Sequence, residues 1–270
     1  MSTNLSAQYL VGCDGGSSPI RKQLGIKLRG EGGILELQQA LFYCEELFDR
    51  LPKGDGPGQG RHYHRADTDH TFLIMQDSTK HWSLHATAAD RDAMKRKFEQ
   101  VVGFPVNYEL ISCGPWRQNL LLSDRYRDRR VFLAGDSVHL VIPTGGLGMN
   151  TGIGDAFDLA WKLKGTIQGW GGAELLDSYE TERRQVGERN VGASRYANVG
   201  RQRWRSIATP DIFNGTKAAK KVKSALISMA DSEQRKGNRM IGAELGYRYV
   251  DSPCIDNIPG GPEHRVGEYT

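Results

Sequence analysis

Two short apolar runs, each followed at once by glycine and aspartate, dominate the hydrophobic pattern of the chain. Residues 9–11 run into a glycine-rich turn around Asp14, and residues 130–134 run into Gly135 and Asp136. Apolar runs of this length with glycine at their ends are typical of buried strands. Ligands bind α/β sheets at the carboxyl ends of such strands, where an aspartate can accept hydrogen bonds from sugar-like hydroxyls. We therefore expect Asp14 and Asp136 at the binding edge of a sheet.

Between these runs the pattern changes to alternation. Apolar and polar residues alternate over residues 34–37, 71–75 and 81–85, which predicts strands of an antiparallel sheet. Residues 52–60 are rich in glycine and proline and predict a loop.

Helical spacing predicts the remaining elements. Ser18 and Pro19 suit the cap and first position of a helix over residues 20–24, and an amphipathic helix is predicted over 90–102. Further helices are predicted from about 150 to 167, over 175–186 and over 217–230, and a late strand around Arg248. The helix from about 150 carries one apolar stripe, which we expect to pack inward: Ile153, Ala156, Phe157, Ala160 and Ile167.

This order of elements predicts an α/β fold in which two pieces of one domain flank an inserted sheet. We expect an incomplete Rossmann-like domain over 1–30 and 123–200, a β-rich substrate domain over 31–122, and a helical C-terminal region over 201–270. If the chain is a non-catalytic module, we expect any homodimer to form through its C-terminal helices.

Composition excludes several classes of protein. The net charge of +4 is small, and its lysines and arginines are dispersed, which argues against a nucleic-acid partner. No apolar run reaches the ~18 residues needed to span a membrane, and the first residues do not resemble a signal peptide. The four cysteines form no C-x-x-C pair, so we expect free thiols in the cytoplasm.

The two glycine–aspartate motifs resemble those of the FAD-dependent aromatic-ring hydroxylases, especially the phenol, resorcinol and polyketide hydroxylases. The turn at Asp14 resembles the family's DG motif, and Gly135 with Asp136 resembles its GD motif. Residues 143–150 resemble the stretch that lies against the flavin ring. Residues 176–184 resemble the helix that follows, and residues 245–249 a late segment of longer members. The resemblance runs from about Leu10 to near the end of the chain.

By matched position, the resemblance implies that Asp136 bonds a ribityl hydroxyl of FAD, and that Asp14 helps hold the flavin-side domain and the approach of NAD(P)H. It further implies that a loop leading into a helix lines the flavin ring. The residues of this loop are Pro143, Gly146, Leu147, Gly148, Met149 and Asn150. Backbone N–H groups of Met149 and Asn150, at the positive end of that helix, would then bond the flavin.

The activity implied is a monooxygenase that uses FAD and NAD(P)H to hydroxylate a phenolic or polyketide ring through a C4a-hydroperoxyflavin. Its partners would be a small aromatic substrate and dioxygen. The inserted sheet would cover the substrate. Candidate residues on it are Tyr63, His64, His85 and Trp116, with Arg65 as a partner for a substrate carboxylate, although each also suits packing or the surface. His139 would either face the flavin loop or cap it.

A metal site is the main competing interpretation of the histidines. His62 with His64, and His81 with His85, each share one face of a predicted strand. The intervening strand separates the two pairs, and no carboxylate or thiol completes the set at ligand spacing. We expect no metal.

The family begins with a βαβ unit that bears G-x-G-x-x-G, and this chain has no such motif. Two explanations remain open: the sequence is a fragment of an enzyme, or it is a non-catalytic remnant or interaction module that does not bind FAD tightly. A flavin halogenase or a quinone-biosynthesis hydroxylase is a third possibility, because such relatives share the loop at residues 143–150.

Overall fold

The computed structural model describes residues 4–53, 61–65, 67, 69–76, 78–209, 212 and 214–255. Contacts divide the chain into two compact units. Unit 1 comprises residues 1–32, 119–202 and 230–270, and unit 2 comprises residues 33–118 and 203–229.

The elements follow each other in this order: β1 (Leu10–Gly12), α1 (Pro19–Gln23), β2 (Leu28–Tyr43), α2 (Leu47–Arg50), β3 (His62–His64), β4 (Phe72–Met75), β5 (His81–Ala86), α3 (Arg91–Val102), β6 (Glu109–Ser123), β7 (Arg127–Asp128), β8 (Val131–Leu133), β9 (His139–Leu140), α4 (Leu147–Ile167), α5 (Asp177–Arg205), α6 (Lys217–Asn238) and α7 (Ile241–Glu244). Of the helices in the described ranges, none combines the length and the apolar character that crossing a membrane requires.

Unit 1 is built around a three-stranded sheet in the order β1-β8-β7. Strands β1 and β8 are parallel, with Leu10 opposite Val131 and Gly12 opposite Leu133. Helix α1 follows β1 as predicted, because the Ser18 hydroxyl accepts the N–H of Arg21 and proline occupies the first turn. The core beneath the sheet contains Phe132, Leu133, Leu159 and Tyr179.

Unit 2 contains the alternating strands, and the predicted antiparallel sheet is confirmed. Within unit 2 the sheet has the order β3-β4-β5-β2-β6, with antiparallel pairing between β3 and β4, β4 and β5, and β5 and β2. Helix α3 covers one face, begins at its Asp90 cap and ends at Gly103 in a left-handed conformation, as its sequence predicts. Phe98 of α3 stacks on Phe42 of β2 with ring centroids 4.1 Å apart.

Helix α4 departs from the expectation in its orientation. The apolar stripe predicted to pack inward faces outward instead, with Phe157 76% exposed and Ile153 58% exposed. The buried side of the helix carries polar residues, among them Thr151, Asp155 and Lys162. The helix is turned this way because buried ion pairs with α5 hold its polar side.

The last described part of unit 1 also differs from the prediction. Helix α5 extends to Arg205, well beyond residue 186, although glycines within it lower its helical propensity. One of these, Gly187, is required because a side chain there would clash with the Tyr126 hydroxyl. The strand expected around Arg248 is absent: residues 246–249 are irregular. Side chains of α5 bond this segment, because Gln185 pairs with both the N–H and the carbonyl of Val250.

Gly30 in β2 is expected to tolerate no side chain. Its φ is +126°, and a Cβ there would clash with the carbonyl oxygen of Leu120. Gly30→Ala should lower the free energy of unfolding by at least about 2 kcal/mol, because strained backbone and a steric clash add. Gly32→Ala is the matched control, since its Cβ would meet nothing closer than 3.8 Å, and it should change stability by less than about 0.5 kcal/mol. Urea unfolding of both variants measures this, and equal losses would contradict it.

Candidate functional site

The two glycine–aspartate motifs meet at one edge of the unit 1 sheet. Because β1 and β8 are parallel and in register, their carboxyl ends lie side by side. The buried guanidinium of Arg21 joins the motifs by donating to the carbonyl of Ser137 at 2.7 Å and to that of Gly16 at 3.0 Å. The Ser137 hydroxyl adds a second link, since it contacts the Gly12 and Ala134 carbonyls at 2.8 Å each. Buried polar contacts thus fix the spacing of the two turns.

Asp14 and Asp136 both lie at the surface of this edge. Asp14 accepts the N–H of Ile20 at 3.1 Å and therefore also caps the start of α1. Partial burial raises the pKa of Asp14, but hydrogen bonds from Ser18 and Ile20 outweigh it and leave that pKa below its ordinary value. The carboxylate of Asp136 projects from a short turn (Gly135–Ser137). Both carboxylates are thus exposed to a ligand at the sheet edge.

The loop before α4 turns through two glycines with positive φ, Gly145 and Gly146. The helix begins at Leu147, three residues before the predicted start near Asn150. As a result, the backbone N–H groups without an acceptor inside the helix belong to Leu147, Gly148 and Met149. The predicted role of the Asn150 N–H is therefore corrected: that group lies within the helical hydrogen-bond pattern, and the side chain of Asn150 donates to the Gly146 carbonyl at 2.9 Å.

Helix α5 supports this loop from below. The Ser194 hydroxyl donates to the Ile142 carbonyl at 2.9 Å, just before Pro143. Arg201 reaches the Thr144 hydroxyl at 3.3 Å. Asn190 donates to the Thr151 hydroxyl at 2.7 Å in the first turn of α4. Both ends of the loop are therefore held by side chains of one long helix.

A fully buried carboxylate, Asp155 on α4, connects the turn at Gly135–Ser137, called the GD turn, to α5. One of its oxygens accepts the backbone N–H of Gly135 at 3.0 Å and contacts Nε2 of His139 at 2.7 Å. The other oxygen accepts Nε of Arg183 at 2.9 Å. Gly152 permits this approach, because a Cβ there would lie 3.3 Å from the Cα of Gly135. The conformation of the GD turn is thus set by a charged group on α4.

Arg183 connects Asp155 to the last described segment of unit 1. Its guanidinium also donates to the Thr151 carbonyl and to the Tyr249 hydroxyl, each at 3.2 Å. Burial alone would lower the pKa of Arg183, but Asp155 and Tyr249 raise it above its ordinary value. The guanidinium is therefore a permanent charge in the interior.

A second buried cluster lies further along the same helices. Lys162 pairs with Asp158 at 2.8 Å and with Glu182. Burial raises the pKa of Asp158, and Lys162 partly offsets that effect. Glu182 also accepts the Ser252 hydroxyl, so the irregular segment after α7 is attached to α5 here as well.

In unit 2, three of the four substrate-side candidates come together on the sheet face opposite α3. His85 stacks on Phe72 with centroids 4.3 Å apart, and Trp116 meets His85 edge-on at 4.8 Å. His64 pairs with Phe72 in the β3–β4 register and lies 5.9 Å from it, ring to ring. The three side chains therefore form one aromatic cluster.

Tyr63 lies on the other face, because neighbouring residues of a strand point in opposite directions. Its ring packs against the core shared with α3, 6.3 Å from that of Trp82, and its hydroxyl donates to the Pro52 carbonyl at 3.1 Å. The structure therefore does not bring Tyr63 together with His64, His85 and Trp116.

The remaining sequence candidates have structural partners. Arg65 donates to the Gln100 carbonyl at 3.0 Å and lies 3.7 Å from Asp67. His139 is buried against Asp155, beneath the GD turn. Strand β4 separates β3 from β5, and with them the two histidine pairs. Within the described ranges, no group of three histidine, cysteine or acidic side chains is arranged to hold a metal ion.

The spacing of polar residues along α4 signals Asp155 in the sequence. Thr151, Asp155, Asp158 and Lys162 recur at helical spacing, as a polar stripe on the side of α4 opposite its apolar residues. A polar stripe is ordinarily the solvated face of a helix. Only the arrangement of α5, with Arg183 and Glu182 facing it, identifies it as buried.

Comparison with known proteins places the chain in a family. Residues 1–194 match the family model described as FAD binding domain. The FAD-dependent monooxygenase apdD of Emericella nidulans is 32% identical over 98% of this chain and 46% of its own length. Aklavinone 12-hydroxylase RdmE of Streptomyces purpurascens is 31% identical over 87% of this chain and 46% of its own. The chain therefore belongs to the FAD-binding family of aromatic and polyketide hydroxylases.

The fold agrees with that assignment. RebC with bound 7-carboxy-K252c superimposes with a TM-score of 0.78 at 30% identity, over 95% of this chain and 49% of the other. The chain thus spans about half the length of the relatives that it matches. The predicted fold class and the predicted family are both confirmed.

Removing the Asp155 carboxylate should destabilise unit 1 strongly. Asp155→Ala leaves the buried guanidinium of Arg183 without its carboxylate and the Gly135 N–H without its acceptor. We expect the free energy of unfolding to fall by about 3–5 kcal/mol, the usual cost of breaking a buried ion pair. Glu188→Ala is the control, because Glu188 is 70% exposed and 4.0 Å from Arg184, and it should cost less than about 1 kcal/mol. Similar losses for both variants in urea unfolding would contradict the role assigned to Asp155.

Proposed function

We propose that this chain binds FAD at the edge formed by β1 and β8, and that it acts with NAD(P)H as a monooxygenase on a phenolic or polyketide ring. The observation that carries the proposal is the adjacency of the two glycine–aspartate turns at the carboxyl ends of parallel strands. Family membership supports FAD as the cofactor. Relatives named as hydroxylases support the reaction class.

The residues at this edge suit FAD chemically. The exposed carboxylate of Asp136 can accept hydrogen bonds from the ribityl hydroxyls. The free N–H groups of Leu147, Gly148 and Met149, at the positive end of a 21-residue helix, can donate to the pyrimidine edge of the flavin ring. The turn at Gly145 and Gly146 exposes backbone in place of side chains, which lets a flat ring approach closely. Pro143 would line the same surface.

The work of the chain is then electrostatic and steric. The bound cofactor would supply the redox chemistry, taking electrons from NAD(P)H and activating dioxygen. The start of α4 would stabilise negative charge on the flavin, because its dipole and free N–H groups are fixed before the ligand arrives. The aromatic cluster of His64, His85 and Trp116 would help orient an aromatic substrate and exclude water.

FAD titration tests the proposal directly. We expect the chain to bind FAD, seen as a change in flavin fluorescence, and Asp136→Ala to weaken binding at least tenfold, equivalent to about 1.4 kcal/mol. The loss follows from removing the hydrogen-bond acceptor for ribityl hydroxyls. Glu188→Ala, distant in sequence and exposed, should bind FAD as the unchanged chain does.

A second measurement distinguishes a catalytic chain from a non-catalytic remnant. NAD(P)H oxidation in the presence of FAD should rise when a phenol is added. A chain that is folded by circular dichroism but has no affinity for FAD would contradict the proposal and favour the non-catalytic alternative. Equal FAD affinity of Asp136→Ala and the unchanged chain would contradict the role of Asp136 alone.

A further inference from the structure

The buried guanidinium of Arg183 contacts both the first turn of α4 and, through Asp155, the GD turn. Its Nε donates to one oxygen of Asp155 at 2.9 Å, and the other oxygen accepts the N–H of Gly135 at 3.0 Å. Its Nη2 donates to the carbonyl of Thr151 at 3.2 Å. One side chain of α5 therefore holds the turn that carries Asp136 and the start of the helix behind it.

A glycine makes room for this guanidinium. A Cβ at Gly154 would lie 2.6 Å from Nη2 of Arg183 and 3.1 Å from its Cζ, so a side chain there would displace the group. Arg183 is among the fully buried side chains of the chain. Because water does not replace a lost partner in the interior, the position of a buried guanidinium depends on the acceptors that the protein supplies.

Two tyrosines that follow α7 complete the surroundings of Arg183. The Tyr249 hydroxyl accepts Nη1 of the guanidinium at 3.2 Å, and the ring of Tyr247 lies 5.6 Å from its Cζ. Burial raises the pKa of Tyr249 to about 12, with Arg183 opposing that rise, so the hydroxyl is neutral near pH 7. Tyr249 thus accepts from a nitrogen of Arg183 other than those that bond Asp155 and Thr151.

The same segment has a second attachment, which follows another route. The Ser252 hydroxyl donates to Glu182, and Glu182 pairs with Lys162. This chain of contacts does not pass through Arg183. Support of Arg183 and attachment of the segment can therefore be tested separately.

We propose that Tyr249 is a positioning residue for the FAD site: its hydroxyl holds Arg183, and Arg183 with Asp155 holds the GD turn. Without that hydroxyl, the guanidinium can turn to another acceptor only by pulling on Asp155, and with it on the N–H of Gly135. The role rests on the proposed function in one respect, namely that FAD binds at this turn. It requires no contact between Tyr249 and the cofactor.

Backbone hydrogen exchange, followed by NMR without FAD, tests the hold on the turn. Tyr249→Phe removes the hydroxyl and keeps the ring, and the Gly135 N–H should then exchange at least about fivefold faster. The Leu133 N–H, which donates to the Tyr126 carbonyl at 2.8 Å in the same unit, is the internal reference and should keep its rate. Equal acceleration of both groups would indicate a general loss of stability and would overturn the proposal.

Ser252→Ala is the matched control, because it removes another buried hydroxyl from the same segment. Tyr249→Phe should weaken FAD binding at least about threefold, which is the order of effect of one hydrogen bond. Ser252→Ala should leave both FAD affinity and the exchange of the Gly135 N–H unchanged. An equal loss of FAD affinity in the two variants would assign the effect to attachment of the whole segment and would overturn the role of Tyr249.

A double-mutant cycle with Asp136 tests the route of the effect. If Tyr249 acts by holding the turn that carries Asp136, Tyr249→Phe should weaken FAD binding less in the Asp136→Ala background than in the unchanged chain. Additive losses would contradict that route. Faster exchange at Gly135 in a chain that binds no FAD would contradict the proposed function but support the hold of Tyr249 on the turn. FAD affinity that Tyr249→Phe does not alter would overturn the positioning role alone.

Discussion

The arrangement of the strand ends in unit 1 depends on one buried carboxylate. Asp155 accepts a backbone N–H from the GD turn, contacts a histidine that follows that turn, and pairs with an arginine of α5. Three separate segments are thus tied to one side chain. A buried charge is stable only when every partner is present, so the three segments must adopt their positions together. The conformation of the GD turn is therefore held by the protein's own contacts.

Arg21 and Ser137 fix the ends of strands β1 and β8 relative to each other. Their bonds to carbonyl oxygens join the end of β1 to the end of β8. Burial lowers the pKa of Arg21, with the nearby charge of Asp14 opposing that effect. The apolar core of unit 1 stabilises the sheet, but it cannot specify the distance between two turns. Directional hydrogen bonds can, because their strength falls steeply with misalignment.

Features set by residues close together in the sequence could be predicted. Features that depend on contacts between distant segments could not. Strand ends at the two motifs, the capped start of α1 and both ends of α3 follow from local rules, and all are confirmed. The buried face of α4 could not be predicted, because its apolar and polar stripes are both regular. The polar stripe of α4 is buried because Arg183 and Glu182 pair with it. Both residues lie on α5, 20 or more positions later in the sequence. The segment around Tyr249 is irregular and not the predicted strand, because its backbone partners are side chains of α5.

Buried charges organise the strand ends of unit 1, whereas aromatic stacking organises one sheet face of unit 2. In unit 1, Asp155 and Arg183 lie beneath the turn at Gly135 and Asp136, and the free N–H groups at the start of α4 belong to the same unit. In unit 2, the rings of Phe72, His85 and Trp116 share the sheet face opposite α3. Strand alternation alone separates that face from the α3 core, which is why His64 and Tyr63, adjacent in sequence, have different surroundings.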